Sequence, residues 1–240
     1  MLYQKKIMPR TSDFDTFDKI KMHSLLDMFQ DLAKEHADIL GLGYNEFKPK
    51  NLMWILLSTK IEIIKDVTYG EEVVLKTWPH PKGRIDFIRD YQVLSPEGDV
   101  YVKASSKWIV VDFVTRKIKR TSDIDYPEKT IDDKNFDDVS RIRIDIPEDK
   151  EFVCDYKVVN NDLDHNGHMN NCKYMELVYN TMDIKNKKHL VSLHIDFINE
   201  VMLGQTISLY KFNLEEEQYY VGYVDNIQSF IAKVKENEHE

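Results

Sequence analysis

An α+β fold in two similar halves is what this sequence predicts. Three observations carry that expectation: an amphipathic helix in each half, a run of turn-punctuated β-rich segments after each helix, and short matches that recur between the halves in the same order. The 240 residues, 42% of them apolar, suffice for one large core or two ordinary ones, because domains commonly run ~100–150 residues.

The first helix is read from Met22, Leu25, Leu26, Phe29, Leu32, Ala33, His36, Ala37 and Leu40, which fall on one helical face before Gly41 and Gly43 supply a stop. Strand-like segments follow at Leu52–Lys65, Val73–Trp78, Arg84–Leu94 and Val100–Val114. Tyr69-Gly70, Pro79 to Gly83 and Ser95 to Asp99 separate them, and turns that short join antiparallel neighbours. The second half repeats the plan: a strand at Glu151–Val159, a helix at about Asn171–Met182, then strands at Leu190–Ile198, Thr206–Leu214, Gln218–Val224 and Ser229–Val234.

Self-comparison supports duplication. The step that takes Asp13-Phe14-Asp15 to Asp162-Leu163-Asp164 also takes Leu25, Leu26 and Phe29 to Tyr174, Met175 and Val178, and Asp66-Val67-x-x-Gly70 resembles Glu200-Val201-x-x-Gly204. The expected domains are residues 1–120 and 151–240. Residues 121–150, rich in Asp, Lys, Glu and Pro, read as a surface linker. Each half is expected to bury its helix against one face of its sheet, and pairing of the two sheets edge to edge would hide the exposed edges.

Composition narrows the function. A formal net charge of −9, with 42 acidic against 33 basic residues, argues against nucleic acid as a partner. The two cysteines, Cys154 and Cys172, are too few for a disulfide scaffold and point to a reducing cytoplasm. The amino terminus shows neither a signal h-region nor a transit-peptide composition, and no run approaches the ~20 apolar residues of a membrane span.

The chemistry is concentrated in Asp162-Leu163-Asp164-His165-Asn166-Gly167-His168-Met169-Asn170-Asn171, at the start of the second-half helix. A calcium loop fits Asp162, Asp164, Asn166 and Gly167 but puts Lys173 where the bidentate Glu belongs, and a strand precedes it in place of a helix. Helix capping by Asn170 or Asn171, with Asp162 and Asp164 at the positive end, explains part of the run. It leaves Asn166 and His168 over, and the first half has Phe17 and Lys19 at their positions. A hydrolytic site uses all of them: a carboxylate to hold or deprotonate water, a histidine to move a proton, and amide or helix-start N–H groups for an oxyanion.

The run from Asp162 to Tyr174 resembles the D-L-D-x-N-x-H-V-N-N-x-x-Y motif of the acyl-acyl carrier protein thioesterases, a family of tandem hot-dog domains, with Met169 in place of Val. Leu193 to Glu200 is similar to that family's L-x-x-x-Y-x-x-E strand, with Phe197 for Tyr, and Leu25 to Ala33 with His36, and Asn51 to Ile55, resemble its first half. The resemblance implies two tandem hot-dog domains, each an antiparallel sheet wrapped around a long helix, and hydrolysis of fatty acyl-acyl carrier protein without cofactor or metal. It places Asp164, Asn166, His168 and Glu200 in the active site, with Asp164 or Glu200 as general base, and an acyl slot in the first half, for which Trp54, Met53, Met28 and Phe29 are the candidates. Trp78 and Trp108, in alternating strands, are read as core. Plant members carry a cysteine after that Glu; Val201 stands here, so a Cys-His-Asn scheme does not carry over, and Cys172 is read as core.

The carrier partner is acidic, so Arg116–Arg120 and Lys185–Lys188 are the candidate docking patches, on a monomer or homodimer. The competing readings are an acyl-CoA thioesterase on the same scaffold and a catalytically silent acyl-binding protein.

Overall fold

A computed structural model describes residues 1–127, 130–182 and 188–238. They cluster into two compact units, one of Met1–Ile20 with Asp27–Val139 and one of Lys21–Leu26 with Ser140–Glu240.

In the first unit, β1 (Tyr3–Ile7), β2 (Leu52–Ile63), β3 (Val73–Pro79), β4 (Phe87–Leu94) and β5 (Val100–Asp112) are antiparallel in the order β1-β3-β4-β5-β2, and the short β6 (Lys117–Ile118) pairs with β5. The sequence reading did not include β1, because only Tyr3 and Ile7 in it are even partly buried; its register against β3, from Tyr3↔Thr77 to Ile7↔Val73, creates the strand. The strand expected from Arg84 begins at Phe87, since Gly83 N–H donates to Asp86 O at 3.0 Å and closes a turn.

Helix α1 (Met22–Ile39) buries Leu25, Leu26, Phe29, Leu32, Ala33 and His36, the stripe that the spacing predicts. It stops as its glycine dictates: Gly41 is left-handed at φ 71°, its N–H reaches Asp38 O at 3.2 Å, and Leu42 N–H reaches Ala37 O at 2.9 Å. The short α2 (Tyr44–Phe47) then puts Phe47 into a cluster with Leu42, Phe87 and Val110.

The second unit repeats this order. Its strands β7 (Glu151–Lys157), β8 (Lys188–Phe197), β9 (Thr206–Leu214), β10 (Glu217–Val224) and β11 (Ile227–Glu238) run β8-β11-β10-β9-β7, so in both units the first and second strands stand at the two ends of the unit's order and the last three lie between them. Helix α3 (Asn171–Asn180) starts at the position that matches Met22 and buries Cys172, Tyr174, Met175, Leu177 and Val178. Gly222 is required here, because a Cβ would lie 2.3 Å from Phe230 Cε1, and Phe230 is the side chain that meets the Tyr174 ring at 5.2 Å.

The segment 121–150 departs from the linker expectation. Ile124 and Tyr126 are buried in the cluster around Phe47 and Phe87, and burial pushes the Tyr126 hydroxyl up to about 12. Further on, Asn135 donates through Nδ2 to Tyr91 O at 2.8 Å and Ala104 O at 2.9 Å, while its N–H reaches Asp90 Oδ2 at 2.6 Å and Trp78 Nε1 bonds Asp133 O at 2.9 Å. In the second unit Ile142, Ile144 and Ile146 pack on the cluster of Phe212, Tyr219, Val221 and Ile231, with Ile142 N–H on Asp196 Oδ2 at 2.6 Å. Polar composition reads as solvated chain, but here buried carboxylates and sheet carbonyls take the donors.

His36 is buried among polar partners: Arg89 lies 2.9 Å from its Nδ1, and Tyr3 stacks on the ring at 5.4 Å. Burial, and then the Arg89 charge, lowers its pKa from 6.5 to about 4, so the ring accepts from the guanidinium as the neutral form. The unfolded chain therefore takes up this proton first as pH falls, and stability contributed by the neutral ring is lost between about pH 6.5 and about 4. We predict that urea titrations at pH 7 and pH 4.5 show a loss of up to about 3 kcal/mol that His36→Gln largely flattens; an unchanged pH dependence in the variant removes His36 as its source.

Candidate active site

The candidate residues sit on a loop built by its own side chains. Asp162, 4% exposed, ends a 3-10 turn at Asn160–Asp162, takes Val159 N–H at 2.8 Å, and accepts the Tyr156 hydroxyl at 2.9 and 3.0 Å. Burial and then this carboxylate push Tyr156 up to about 12. Next, Asp164 Oδ1 accepts the backbone N–H of Asn166 at 2.8 Å and of His168 at 3.0 Å, Asp164 N–H donates to His168 O at 2.7 Å, and Gly167 turns the chain at φ 84°. Asn166 Nδ2 lies 3.4 Å from Asp164 Oδ2. Asn170 then caps α3, accepting Cys172 N–H at 3.2 Å.

A second set of bonds docks this loop on the turn after β8. Met169 N–H reaches Val201 O at 2.8 Å, His168 bridges to Met202, and Gln205 Oε1 accepts Met202 N–H at 2.7 Å. His168 Nε2 is thereby set 3.4 Å from Glu200 Oε2, with the two side chains 18% and 37% exposed. All four expected site residues therefore lie in one loop and turn, Asn166 and Glu200 exposed and Asp164 and His168 half-buried. Cys172 is buried at 7%, as the core reading expects.

The first unit contains the same loop with different side chains. Asp13 ends a 3-10 turn and takes Arg10 N–H at 2.7 Å; Asp15 Oδ1 accepts Phe17 N–H at 2.8 Å and Lys19 N–H at 3.0 Å; Asp15 N–H donates to Lys19 O at 2.8 Å; and Asp18 turns the chain at φ 58°, where Gly167 does so in the other copy. The turn of Asp66 to Glu71 matches that of Glu200 to Gln205 as well, with Gly70 at φ 78° and Gly204 at φ 81°. Lys19 pairs with Asp66, so the counterpart of His168–Glu200 is a lysine–aspartate ion pair. Sequence spacing aligns these positions, and the fold brings their side chains together.

Tyr174 is a further residue that the sequence reading left without a role. It is buried, bonds the Val201 backbone, and has its hydroxyl pKa raised by burial and by the nearby Glu200 and Asp164 charges. It supports the turn that carries Glu200; its place at the end of the polar run was the available signal.

The proposed acyl-slot residues divide. Phe29 is buried against Tyr91 at 4.9 Å, and Trp54 stacks on Phe47 at 5.4 Å while its Nε1 bonds Leu42 O at 2.9 Å. Met28 is half-buried on α1. Met53 pairs with Val111 while Trp54 pairs with Val110, so Met53 points to the opposite face of β2 and the four residues do not line one wall. Trp78 is buried, and Trp108 is half-buried beside the Phe47 cluster. Of the basic runs, Arg116–Arg120 lies along β6, where Lys119 approaches Asp112 at 3.6 Å and Lys82 donates to Thr121 O at 3.3 Å. Residues 185–187 of the other run lie outside the described residues.

Comparison with known proteins identifies the family and the fold. The acyl-ACP thioesterase N-terminal domain model matches residues 1–126, and the acyl-ACP thioesterase C-terminal domain model matches residues 146–239. Oleoyl-acyl carrier protein thioesterase 1, chloroplastic, of Arabidopsis thaliana is 24% identical over 218 residues, 82% of this chain and 60% of that protein. The palmitoyl-acyl carrier protein thioesterase, chloroplastic, of Gossypium hirsutum is 25% identical over 189 residues, 73% of this chain and 46% of that protein. The chain thus spans 60% or less of the length of these curated relatives. An acyl-ACP thioesterase from Bacteroides thetaiotaomicron superposes with a TM-score of 0.85 at 20% identity over 98% of both chains, and the 12:0-ACP thioesterase from Umbellularia californica with 0.81 at 16% identity over 99% of this chain and 98% of that one. These likenesses show the hot-dog fold expected of both halves. The chain belongs to the acyl-ACP thioesterase family.

Proposed function

We propose that this acyl-ACP thioesterase family member hydrolyses the thioester of a fatty acyl group on acyl carrier protein, releasing the free fatty acid and ending chain elongation. The observation that carries the reading is the pair His168–Glu200, held at 3.4 Å on a duplicated loop whose other copy holds Lys19–Asp66 in its place. A lysine–carboxylate pair keeps its charges near neutral pH, whereas a histidine–carboxylate pair passes a proton.

In the proposed reaction, a water beside His168 and Glu200 gives its proton to this pair as its oxygen bonds to the thioester carbonyl carbon. The side-chain amide of Asn166 holds the oxyanion. Collapse breaks the C–S bond, and the proton leaves with the pantetheine thiol. Of the four acyl-slot candidates, Trp54, Met28 and Phe29 are kept as proposed neighbours of the acyl chain, and Met53, on the opposite face of β2 from Trp54, is not. The reading calls for no cofactor or metal. We place the chain in the cytoplasm, since two cysteines are too few for a secreted disulfide scaffold, and read it as a monomer or homodimer.

His168→Ala and Glu200→Gln should each lower kcat about 10²–10⁴-fold with unchanged melting temperature; turnover within threefold of wild type in both removes this site from the reaction. An acyl-CoA carries its thioester on the same pantetheine arm, so kcat/KM for one acyl chain on each carrier separates the two substrates, and a higher value on CoA overturns the carrier assignment.

An acidic carrier fits the basic stretch Arg116–Arg120 on this otherwise acidic chain. Charge reversal at Lys117 and Arg120 should raise KM for the carrier substrate several-fold, leave kcat unchanged, and flatten the rise of KM with added salt. A KM that ignores both charge and salt assigns docking elsewhere.

A further inference from the structure

We infer that Asp164 is a positioning residue and does not serve as the general base. The inference rests on the hydrolytic reading above and assigns the roles of its two carboxylates.

Asp164 Oδ1 is occupied by two backbone N–H groups, from Asn166 at 2.8 Å and His168 at 3.0 Å, and Oδ2 faces Asn166 Nδ2 at 3.4 Å. A base has to carry a proton during the reaction. Oδ1 already carries two N–H groups and Oδ2 faces a third, so a water reaching this carboxylate as a base would have to displace a bond that closes the loop. Proton uptake here would also loosen the loop that holds His168.

The first unit supplies an internal control. Asp15 accepts the N–H of Phe17 and Lys19 at 2.8 and 3.0 Å, the same two distances. Neither Phe17 nor Lys19, paired with Asp66, has water-activating chemistry to offer. The loop thus needs its aspartate where there is no proton to remove. The copies share the aspartate and differ at the four positions after it, His165 for Thr16, Asn166 for Phe17, Gly167 for Asp18 and His168 for Lys19, and in the facing carboxylate, Glu200 for Asp66; of these, His168 and Glu200 meet at 3.4 Å. Asp164 acts on the reaction through the backbone of His168: the bonds to Asn166 and His168 close the loop, Met169 N–H docks it on Val201 O, and His168 then meets Glu200. Glu200 is left as the carboxylate that shares the proton.

Asparagine tests this directly, because it keeps an Oδ1 acceptor while removing the charge, and Asn166 can turn its own amide over to accept from the new Nδ2. The full chain carrying Asp164→Asn, Asp164→Ala, Asp15→Asn or Asp15→Ala is assayed for kcat, KM and the pH profile of kcat/KM on one acyl-carrier thioester. Melting temperatures and the His168 ring proton signal, identified from His168→Gln, are recorded by calorimetry and NMR. D164N should keep kcat within about threefold of wild type, with the same pH profile and the same His168 signal. D164A should lose at least 100-fold in kcat with KM within threefold, and shift the His168 signal. D15A should lower the melting temperature as D164A does and leave kcat unchanged.

A D164N variant that is as inactive as D164A while its fold and His168 signal match wild type makes the charge itself necessary, and overturns the inference. A D164A variant that leaves the His168 signal in place overturns it as well. A wild-type chain inactive on both carrier and CoA thioesters sinks the hydrolytic reading instead, and the NMR comparison still decides whether Asp164 positions His168.

Discussion

A carboxylate oxygen that accepts two backbone N–H groups is the constraint on which the candidate site depends. At Asp164 it closes a loop from Asn166 to His168, and the backbone of Met169 then carries that loop onto Val201. Side-chain-to-backbone bonds of this type replace regular secondary structure between a strand and a helix, where the chain has no ladder partner of its own. Capping by Asn170 continues the same logic into α3, and Gly167 supplies the left-handed residue that the turn requires. A loop so determined by short local bonds holds the His168 ring beside Glu200 while leaving it partly exposed.

Duplication explains how such a loop can be kept while its chemistry changes. Both units hold the same strand order and the same Asp-based loop, and both bring a basic side chain of that loop to an acidic one on the following turn. In one copy the pair is Lys19–Asp66, in the other His168–Glu200. Lysine gives way to histidine, and aspartate to glutamate, while the backbone bonds around the pair stay the same.

Buried polar contacts elsewhere answer a different need. Arg89 and Thr77 sit at the face of the sheet that receives α1, and neutral His36 gives the guanidinium an acceptor there. Asp90 and Asp196 take backbone N–H groups of Asn135 and Ile142 and tie the polar stretch after Tyr126 to each sheet. Each arrangement satisfies donors that an apolar core would leave unpaired, which is the more costly alternative.

Periodicity was enough to read α1, α3 and most strands, because a helix stripe and a strand alternation are local patterns set by one buried face. The polar run was legible as a site for the same reason: Asp164, Asn166 and His168 are close in sequence, and Phe17 with Lys19 marked the first copy as lacking their chemistry. Long-range decisions were not legible. β1 exists through its register against β3, Met53 is separated from Trp54 by the pleat of β2, and residues 121–150 look solvated until Asp90 and Asp196 receive them. By itself, then, the sequence determined the two-part α+β plan and the residue types of the site, since both rest on contacts between near neighbours. Only the tertiary structure decided that His168 meets Glu200, that Lys19 meets Asp66, and that Asp164 is committed to the backbone, because each depends on which distant turn or which N–H a side chain reaches once the chain has folded.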